Sequence, residues 1–176
     1  MKRLVALLLA ACAASAFGQA FPTRPITLIV PYAAGGSADV VARPVAAEMG
    51  KLLGENVVVE LRPGAGGNIG AEYVARSARP DGYTILMASL SLATNVSLMK
   101  LSFDPRKDLA AIGGITTFPN VLLVSSQDPA RSLQDIVERA RKEPGKLTYG
   151  SSGPGTSSHL AGELLSAAAN IQLVHV

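Results

Sequence analysis

Apolar runs of strand length alternate with segments of helical periodicity along most of this chain. The first run, Ile26–Val30, does not alternate with polar residues, which predicts a strand buried on both faces. Apolar side chains at helical spacing then predict a helix over Ser37–Leu53 that ends at Gly54. Pro44 is expected to kink or divide this helix. Its packing face is expected to carry Val40, Val41, Val45, Met49 and Leu52.

The next elements continue this alternation. The sequence predicts strands at Val57–Glu60 and Thr84–Ser89, with a short helix at Ile69–Ala78 between them. Residues 90–109 have an irregular pattern with one helical piece near Leu92–Met99, and this stretch is the predicted exit from a first structural unit.

The second part of the chain repeats the pattern. Two further helices are predicted at Ser132–Lys142 and Thr156–Ala169. Four strand candidates accompany them, at residues 111–115, 120–126, 147–152 and 172–176. Strands that alternate with helices predict an α/β fold with parallel sheets flanked by helices. Right-handed crossovers place the strand-to-helix loops at the carboxyl edge of a sheet, where open sheets bind ligands.

Three of these strand-to-helix loops share one chemistry. They are Pro31–Asp39, Arg62–Gly70 and Gly150–His159, and each ends in small or hydroxyl residues where a helix should begin. Glycine lets the backbone come close to a ligand because it has no Cβ. The first-turn amides of a helix lack internal acceptors and carry partial positive charge, so these loops predict an anion site.

A carboxylate is the anion that suits these loops. The first and third loops contain no Lys or Arg, the second has only Arg62, and the G-x-x-x-x-G-K-[ST] motif of a P-loop is missing. Asp39 would repel a bound anion unless it is spaced away or partnered, so it is expected to accept hydrogen bonds near the ligand. The alternative is that Asp39 only complements the helix dipole and that the glycines only form turns.

Other chemistries have weaker support. The segment Gly64–Gly70 resembles a dinucleotide fingerprint, but the acidic residue expected after the following strand is missing, which leaves a dinucleotide-dependent oxidoreductase as the alternative function. His159 and Glu163 lie four apart and could share a metal ion, but a third ligand is not in view and a packed histidine is the simpler interpretation. Ser151 and Ser152 do not fit the G-x-S-x-G spacing of a hydrolase.

The N-terminus has the features of a signal peptide. Lys2 and Arg3 precede a short apolar run, Leu4–Ala14, which is followed by small residues. Cleavage is expected after Ala20, or alternatively after Ala16.

Removal of this segment changes the composition of the remaining chain. Cys12 is the only cysteine, so no disulfide framework is expected, although the motif LAAC at this position also allows a lipid anchor. Loss of Lys2 and Arg3 lowers the number of basic residues from 16 to 14, against 13 acidic residues, which leaves a net charge near +1. A chain this balanced is not expected to bind nucleic acid. Two histidines without a cysteine predict neither a metal nor a cofactor.

Four segments, in order, resemble the substrate-binding proteins of tripartite tricarboxylate transporters, also called Bug-type receptors. They read FPTRPITLIVPYAAGGSAD, VVVELRPGAGGNIGAEYVARSARPDGYTILMAS, FDPRKDLAAIGGI and YGSSGPGTSSHLAGELL. The resemblance covers nearly the whole chain after the signal peptide. It implies a periplasmic-binding-protein-like α/β fold of two lobes, each with a mostly parallel sheet flanked by helices. It also implies a monomeric, non-enzymatic periplasmic receptor that closes on a small carboxylate and delivers it to a membrane permease.

The resemblance also implies the division into lobes and the ligand contacts. The first lobe would span residues 21–109 and the second residues 110–176. First-lobe contacts are implied at Tyr32, Ala33, Gly35, Gly36, Ser37, Asp39, Gly66, Gly67, Asn68 and Ser89. Second-lobe contacts are implied at Ser151, Gly155 and Thr156.

One departure from the family pattern concerns the C-terminus. Family members continue beyond the strand at residues 172–176, complete the second lobe and cross back to the first. The resemblance therefore implies a C-terminally truncated copy with an incomplete second lobe. We expect such a copy to be marginally stable or prone to aggregation, because apolar faces and a strand edge would be uncovered. A truncated copy that binds nothing is a further alternative.

Overall fold

A computed structural model describes residues 21–176 and confirms an α/β architecture. The strands are β1 (Ile26–Val30), β2 (Val57–Leu61), β3 (Thr84–Leu86), β4 (Thr148–Tyr149) and β5 (Val174–His175). The helices are α1 (Ser37–Leu53), α2 (Asn68–Glu72), α3 (Leu90–Leu98), α4 (Pro105–Asp108), α5 (Leu133–Lys142) and α6 (Ser157–Ala169). A 3₁₀ turn at Ala65–Gly67 precedes α2, and a π-helical turn at Tyr73–Ser77 follows it.

Both sheets are parallel, as the alternating pattern predicted. The larger sheet has the strand order β2-β1-β3, with Ile26 opposite Val57 and Thr27 opposite Thr84. The smaller sheet pairs β4 with β5. Because the strands of each sheet run in one direction, the loops that follow them lie at a common edge. The two sheets fall within the two predicted lobes, and the boundary between those lobes stays a prediction.

The central strand β1 is the most buried element. Ile29 and Val30 are fully buried, in agreement with a strand covered on both faces. One core cluster joins this strand to α1 and to the residue after β3, and comprises Leu28, Val30, Ala42, Ala46 and Met87. A second cluster lies between α5 and the start of the last segment, and comprises Val137, Ala140 and Ile171.

Helix α1 has the predicted bounds, but it packs through a different face. Pro44 lies inside the helix without dividing it, because Pro44 is on the exposed side, where water can satisfy the carbonyl that proline leaves free. Val40 and Leu52, expected to pack, are 63% and 86% exposed. Ala42 and Ala46 are buried instead. Their small side chains let the helix backbone lie close to β1.

Two predicted strands are absent from the structure. Residues 111–115 and 120–126 form neither helix nor strand, and every residue in both stretches is exposed. An apolar run becomes a strand only when a partner strand satisfies its backbone, and within residues 21–176 these stretches pair with none. They expose large apolar side chains, among them Ile112, Val121 and Leu123.

Smaller differences affect the ends of elements near the loops. Strand β3 ends at Leu86 instead of Ser89, and Ser89 is the N-cap residue of α3. Thr156 is the N-cap residue of α6, so this helix begins one position later than predicted. Helix α5 begins with a capping box between Ser132 and Asp135, which fixes its start.

Among residues 21–176, no helix is long and apolar enough to cross a bilayer. The predicted signal peptide, its cleavage sites and Cys12 lie outside the described residues.

The burial pattern predicts which leucines stabilise the fold. Leu28→Ala removes a core side chain that is 3% exposed and is expected to lower the free energy of unfolding by about 2–5 kcal/mol. Leu52→Ala, at an 86% exposed position, is expected to change it by less than about 0.5 kcal/mol. Equilibrium unfolding in urea measures both values, and equal losses would contradict the packing described here.

Candidate functional site

The loops after β1, β2 and β3 converge at the carboxyl edge of the larger sheet. The loop after β1 (Pro31–Gly36) leads into α1, and the loop after β2 (Arg62–Gly64) leads through the 3₁₀ turn into α2. Ser89 follows β3 and precedes α3. The parallel order of the strands therefore gathers the first two predicted loops and Ser89 at one place.

A hydroxyl cluster joins these loops to α3. The Tyr32 hydroxyl is hydrogen-bonded to the Ser89 hydroxyl and, at 2.7 Å, to the Ser91 hydroxyl. Gly67 lies against the same ring, and a Cβ on it would meet the Tyr32 oxygen at 3.1 Å. With φ of 96°, Gly67 also has a backbone conformation that favours glycine. A small cavity lies beside this cluster, lined in part by Pro31, Asn68 and Leu92.

Asp39 closes the first loop on itself. Its Oδ2 accepts a hydrogen bond from the Gly35 amide at 2.9 Å, and its Oδ1 lies 2.8 Å from the Arg43 guanidinium. The Gly35 amide, aided by Arg43, holds the pKa of the Asp39 carboxyl below its usual value. The negative charge of Asp39 is therefore partnered inside the protein, and the Gly35 amide is occupied. The remaining predicted loop residues, Ala33, Gly36 and Ser37, are exposed.

The third loop follows β4 and begins α6. Its fold depends on local hydrogen bonds: the Thr156 hydroxyl donates to the Gly153 carbonyl at 2.6 Å, and the Gly155 amide donates to Nδ1 of His159 at 3.3 Å. The Gly153 amide donates to the Ser151 hydroxyl at 3.1 Å. Thr156 is buried, whereas Ser151 is half-buried.

Helix α3 brings the second and third loops into contact. The Asn95 side chain is fully buried, and its amide nitrogen donates to the Asn68 side chain at 3.0 Å and to the Gly66 carbonyl at 3.4 Å. One residue earlier, the Thr94 hydroxyl donates to the Gly155 carbonyl at 2.9 Å. The loops also approach each other directly, because a Cβ on Gly66 would meet the Pro154 carbonyl at 2.7 Å.

The polar residues of α3 were not among the site residues predicted from the sequence. Ser91, Thr94 and Asn95 follow the i, i+3, i+4 spacing that puts them on one face of a helix. Polar residues at this spacing within an otherwise apolar helix were the available signal. Ser91 and Asn95 are the buried members, and each contacts a predicted site residue.

A second group of side chains surrounds the third loop. His175, at the end of β5, lies 2.7 Å from the Ser151 hydroxyl through Nε2, and its ring centroid is 4.5 Å from that of His159. The Tyr149 hydroxyl donates to the Glu163 carboxylate at 2.6 Å. Burial, followed by this contact with Glu163, raises the pKa of Tyr149 to about 12. His175, too, was not among the site residues predicted from the sequence.

Metal binding and dinucleotide binding find little geometric support. His159 Nε2 lies 3.9 Å from the Glu163 carboxylate, and residues 21–176 contain no group of three His, Cys, Asp or Glu side chains that could hold a metal ion. The glycines at 64–70 lead into a 3₁₀ turn and the five-residue α2. A dinucleotide fingerprint instead opens a regular crossover helix.

Comparison with known proteins decides the family. The family model described as "Tripartite tricarboxylate transporter family receptor" matches residues 41–176. The chain belongs to this family. A curated relative, the UPF0065 protein in the tcbD-tcbE intergenic region of Pseudomonas sp. (strain P51), is 40% identical over 159 residues, which are 90% of this chain and 47% of the relative. The chain thus spans about half the length of the curated relatives it matches.

Solved structures of family relatives have the same fold. Rpa4515 of R. palustris with adipate aligns with a TM-score of 0.84 and 34% identity, and MatC of Rhodopseudomonas palustris with bound malate aligns with 0.80 and 33%. The periplasmic binding protein BugD aligns with 0.76 and 36%. Each match covers 89% of this chain and 52–53% of the solved chain. The resemblance found in the sequence is confirmed, as is a periplasmic-binding-protein-like fold.

The buried amide of Asn95 gives a stability prediction. Asn95→Ala leaves Asn68 and Gly66 without their shared donor and is expected to lower the free energy of unfolding by about 1–3 kcal/mol. Asn120→Ala is the control. It removes an exposed amide with two long contacts to Ser157, at 3.4 Å to the carbonyl and 3.3 Å to the hydroxyl, and should cost less than about 0.5 kcal/mol. Urea unfolding measures both variants. An equally small loss of unfolding free energy in Asn95→Ala would show that the hydrogen bonds of Asn95 to Asn68 and Gly66 do not stabilise the fold.

The partnered charge of Asp39 gives a pH prediction. Because the pKa of Asp39 is lowered in the folded protein, its contribution to stability is present above the unfolded value near 3.9 and is lost as pH falls through the folded value. Asp39→Asn is therefore expected to reduce stability at pH 7 and to lessen the further loss on acidification below about pH 4. Unfolding midpoints across pH, with exposed Glu48→Gln on the same helix as the control, measure this effect. If Asp39→Asn lost as much stability on acidification as the unmodified protein, the lowered pKa of Asp39 would not contribute to stability as described.

Proposed function

We propose that the protein is an extracytoplasmic solute receptor that binds a small carboxylate and delivers it to a tripartite tricarboxylate-type membrane permease. One observation carries this proposal: the loop after β2 and the loop before α6 come close together. Gly66 of the first and Gly155 of the second both lie against the Asn95 side chain. Helix beginnings that converge in this way present backbone amides to one point. Membership of the receptor family supports the same function.

The proposed ligand contacts are mainly backbone groups and hydroxyls. The amides of Ser37 and Ala38 lie in the first turn of α1, where the helix offers them no acceptor. The hydroxyls of Tyr32 and Ser89 lie at the same sheet edge. Together with Gly66–Asn68, these groups form the first-lobe side of the proposed site.

The third loop forms the second-lobe side of the proposed site. Ser151, Gly155 and Thr156 lie in it, and the Thr94 hydroxyl holds its backbone at Gly155. The only basic side chain in the third loop is the imidazole of His159. The first loop has neither Lys nor Arg before Arg43, which Asp39 already pairs. An anion of low charge density, such as a carboxylate, suits such a site better than a polyphosphate.

Closure of two lobes is the proposed mechanism. The lobes would divide near residue 110, after α4, and the contact of α3 with the third loop would form or strengthen as the lobes close. Ligand binding then shifts the population toward the closed arrangement by its differential affinity for that state. A permease could recognise the closed form.

The proposed location is the periplasm, reached through the N-terminal signal peptide, with a lipid anchor at Cys12 as the alternative. The relatives include proteins described as a periplasmic transporter and a periplasmic binding protein, which supports this location. A monomer is proposed, because nothing in the site described here requires a second copy.

Ligand-dependent stability tests the proposed function. A dicarboxylate at about 100 times its Kd is expected to stabilise the protein by about 2.7 kcal/mol, because ligand binds only the folded state. A thermal-shift series with adipate, malate and NAD measures this effect. Stabilisation by either dicarboxylate but not by NAD supports the receptor, whereas stabilisation by NAD alone would favour the oxidoreductase alternative. No stabilisation by any of them would support a chain that does not bind.

A matched pair of tyrosine variants locates the site. Tyr32→Phe removes the hydroxyl that contacts Ser89 and Ser91 and is expected to raise the Kd for the dicarboxylate about tenfold, the effect of one hydrogen bond to a charged group. Tyr83→Phe removes a hydroxyl that contacts Thr23 and is the control. Isothermal titration with adipate measures both Kd values, and equal values would place the ligand elsewhere.

A further inference from the structure

Both histidines of the chain lie together beside the third loop. The ring centroids of His159 and His175 are 4.5 Å apart, and the rings meet edge to face. His159 belongs to the first turn of α6, and His175 ends the neighbouring strand β5. The chain contains two histidines in total, so its whole complement of imidazoles is at this loop.

The contact of His159 with Gly155 sets which ring nitrogen carries the proton when the imidazole is neutral. The Gly155 amide donates to Nδ1 of His159, which must therefore present a lone pair, and the proton of the neutral ring lies on Nε2. In this state the imidazole accepts the hydrogen bond of the Gly155 amide, which the proposed function assigns to the ligand. A proton added to Nδ1 removes the lone pair and frees the Gly155 amide.

Several titratable groups lie close to His159. Glu163 on the same helix has a carboxylate oxygen 3.9 Å from Nε2, and the Tyr149 hydroxyl on β4 donates to that carboxylate. His175 on β5 meets the ring edge to face and contacts Ser151. Lys and Arg do not occur in the loop Gly150–His159. The His159 side chain is 21% exposed, so protons can reach it from solvent.

We propose that His159 is a positioning residue that couples carboxylate binding to the uptake of one proton. This inference rests on the proposed function, since it requires a carboxylate at the third loop. A solvent proton bonds to Nδ1, the hydrogen bond from Gly155 to Nδ1 breaks, and the freed amide donates to the ligand carboxylate. The ring then adds a positive charge next to an anion that otherwise meets only neutral donors in this loop.

The coupling has a defined direction. An anion that binds the protonated form more tightly raises the proton affinity of the ring, so binding must strengthen as pH falls. Free imidazole side chains titrate near pH 6.5, whereas carboxylate ligands stay ionised well above pH 5. A pH effect between 6.5 and 8.5 therefore reports the imidazoles rather than the ligand.

The two histidines are expected to behave differently. His175 uses Nε2 to contact Ser151 and makes no contact with the Gly155 amide in the described part of the chain. Two neighbouring imidazoles also oppose a second positive charge, so one proton per site is expected. His175→Gln is thus the matched control for His159→Gln, because both remove an imidazole but only one removes the group bonded to Gly155.

Titration calorimetry with adipate at pH 6.5 and 8.5 tests the inference. If ligand binding raises the proton affinity of an ordinary imidazole tenfold, the Kd at pH 6.5 is about fivefold lower than the Kd at pH 8.5. Repeating the titration in buffers with different ionisation enthalpies should show net proton uptake. His159→Gln is expected to give the same Kd at both pH values without proton uptake, while His175→Gln keeps the pH dependence whatever its absolute Kd.

The outcomes separate this inference from the proposed function. Binding with a pH-independent Kd, or a His159→Gln variant that keeps the dependence, would overturn the proton coupling alone. Failure of both adipate and malate to bind at either pH would overturn the receptor function as well. Nuclear magnetic resonance of the ligand-free protein gives a separate check, because the chemical shifts of the Gly155 amide and the His159 ring can be followed across pH. The Gly155 amide is expected to titrate together with the His159 ring protons, and an amide that does not respond would also overturn the coupling.

Discussion

The buried amide of Asn95 is the contact on which the candidate site depends. It lies where the backbone of the second loop and the backbone of the third loop come close together, and it donates to the second loop while Thr94 donates to the third. Side chains larger than hydrogen at Gly66 would collide with the Pro154 carbonyl, and at Gly155 with Asn95 itself. Glycine is therefore required at both positions by space as well as by backbone conformation, with φ of 64° and 77°.

The acidic side chains near this site have hydrogen-bonding or ion-pair partners within a few residues or on the neighbouring strand. The acidic side chain nearest the first loop, Asp39, is buried, ion-paired with Arg43 and bonded to the Gly35 amide, so its negative charge need not oppose an anion. Tyr149 and Glu163 are likewise bonded to each other beside the third loop. The groups left to meet a ligand are amides and hydroxyls. Such donors suit the carboxylate group of the proposed ligand.

Much of the first unit could be predicted from the sequence because its signals are local. The bounds of β1 and α1 follow from an apolar run and from helical spacing that Gly54 ends with a left-handed φ of 73°. The parallel order of the strands follows from their alternation with helices. Because parallel strands end at one edge, the sequence predicted that all three glycine loops lie at one sheet edge. The structure places the first two at the edge of the larger sheet, whereas the third follows β4 of the smaller sheet.

Tertiary contacts decided the features that local signals do not encode. Residues 111–126 are apolar enough for strands, yet a strand forms only with a partner, and their pattern cannot show whether a partner is present. The packing face of α1 depends on how close the helix lies to β1, which favours Ala42 and Ala46 over larger side chains. Asn95 and His175 became candidates only through neighbours far away in sequence. The sequence by itself determined most of the helices and strands, the parallel direction of the strands and the glycine loops, because these follow from periodicity and backbone geometry. Only the tertiary structure decided which side chains face those loops, because that depends on contacts between distant residues.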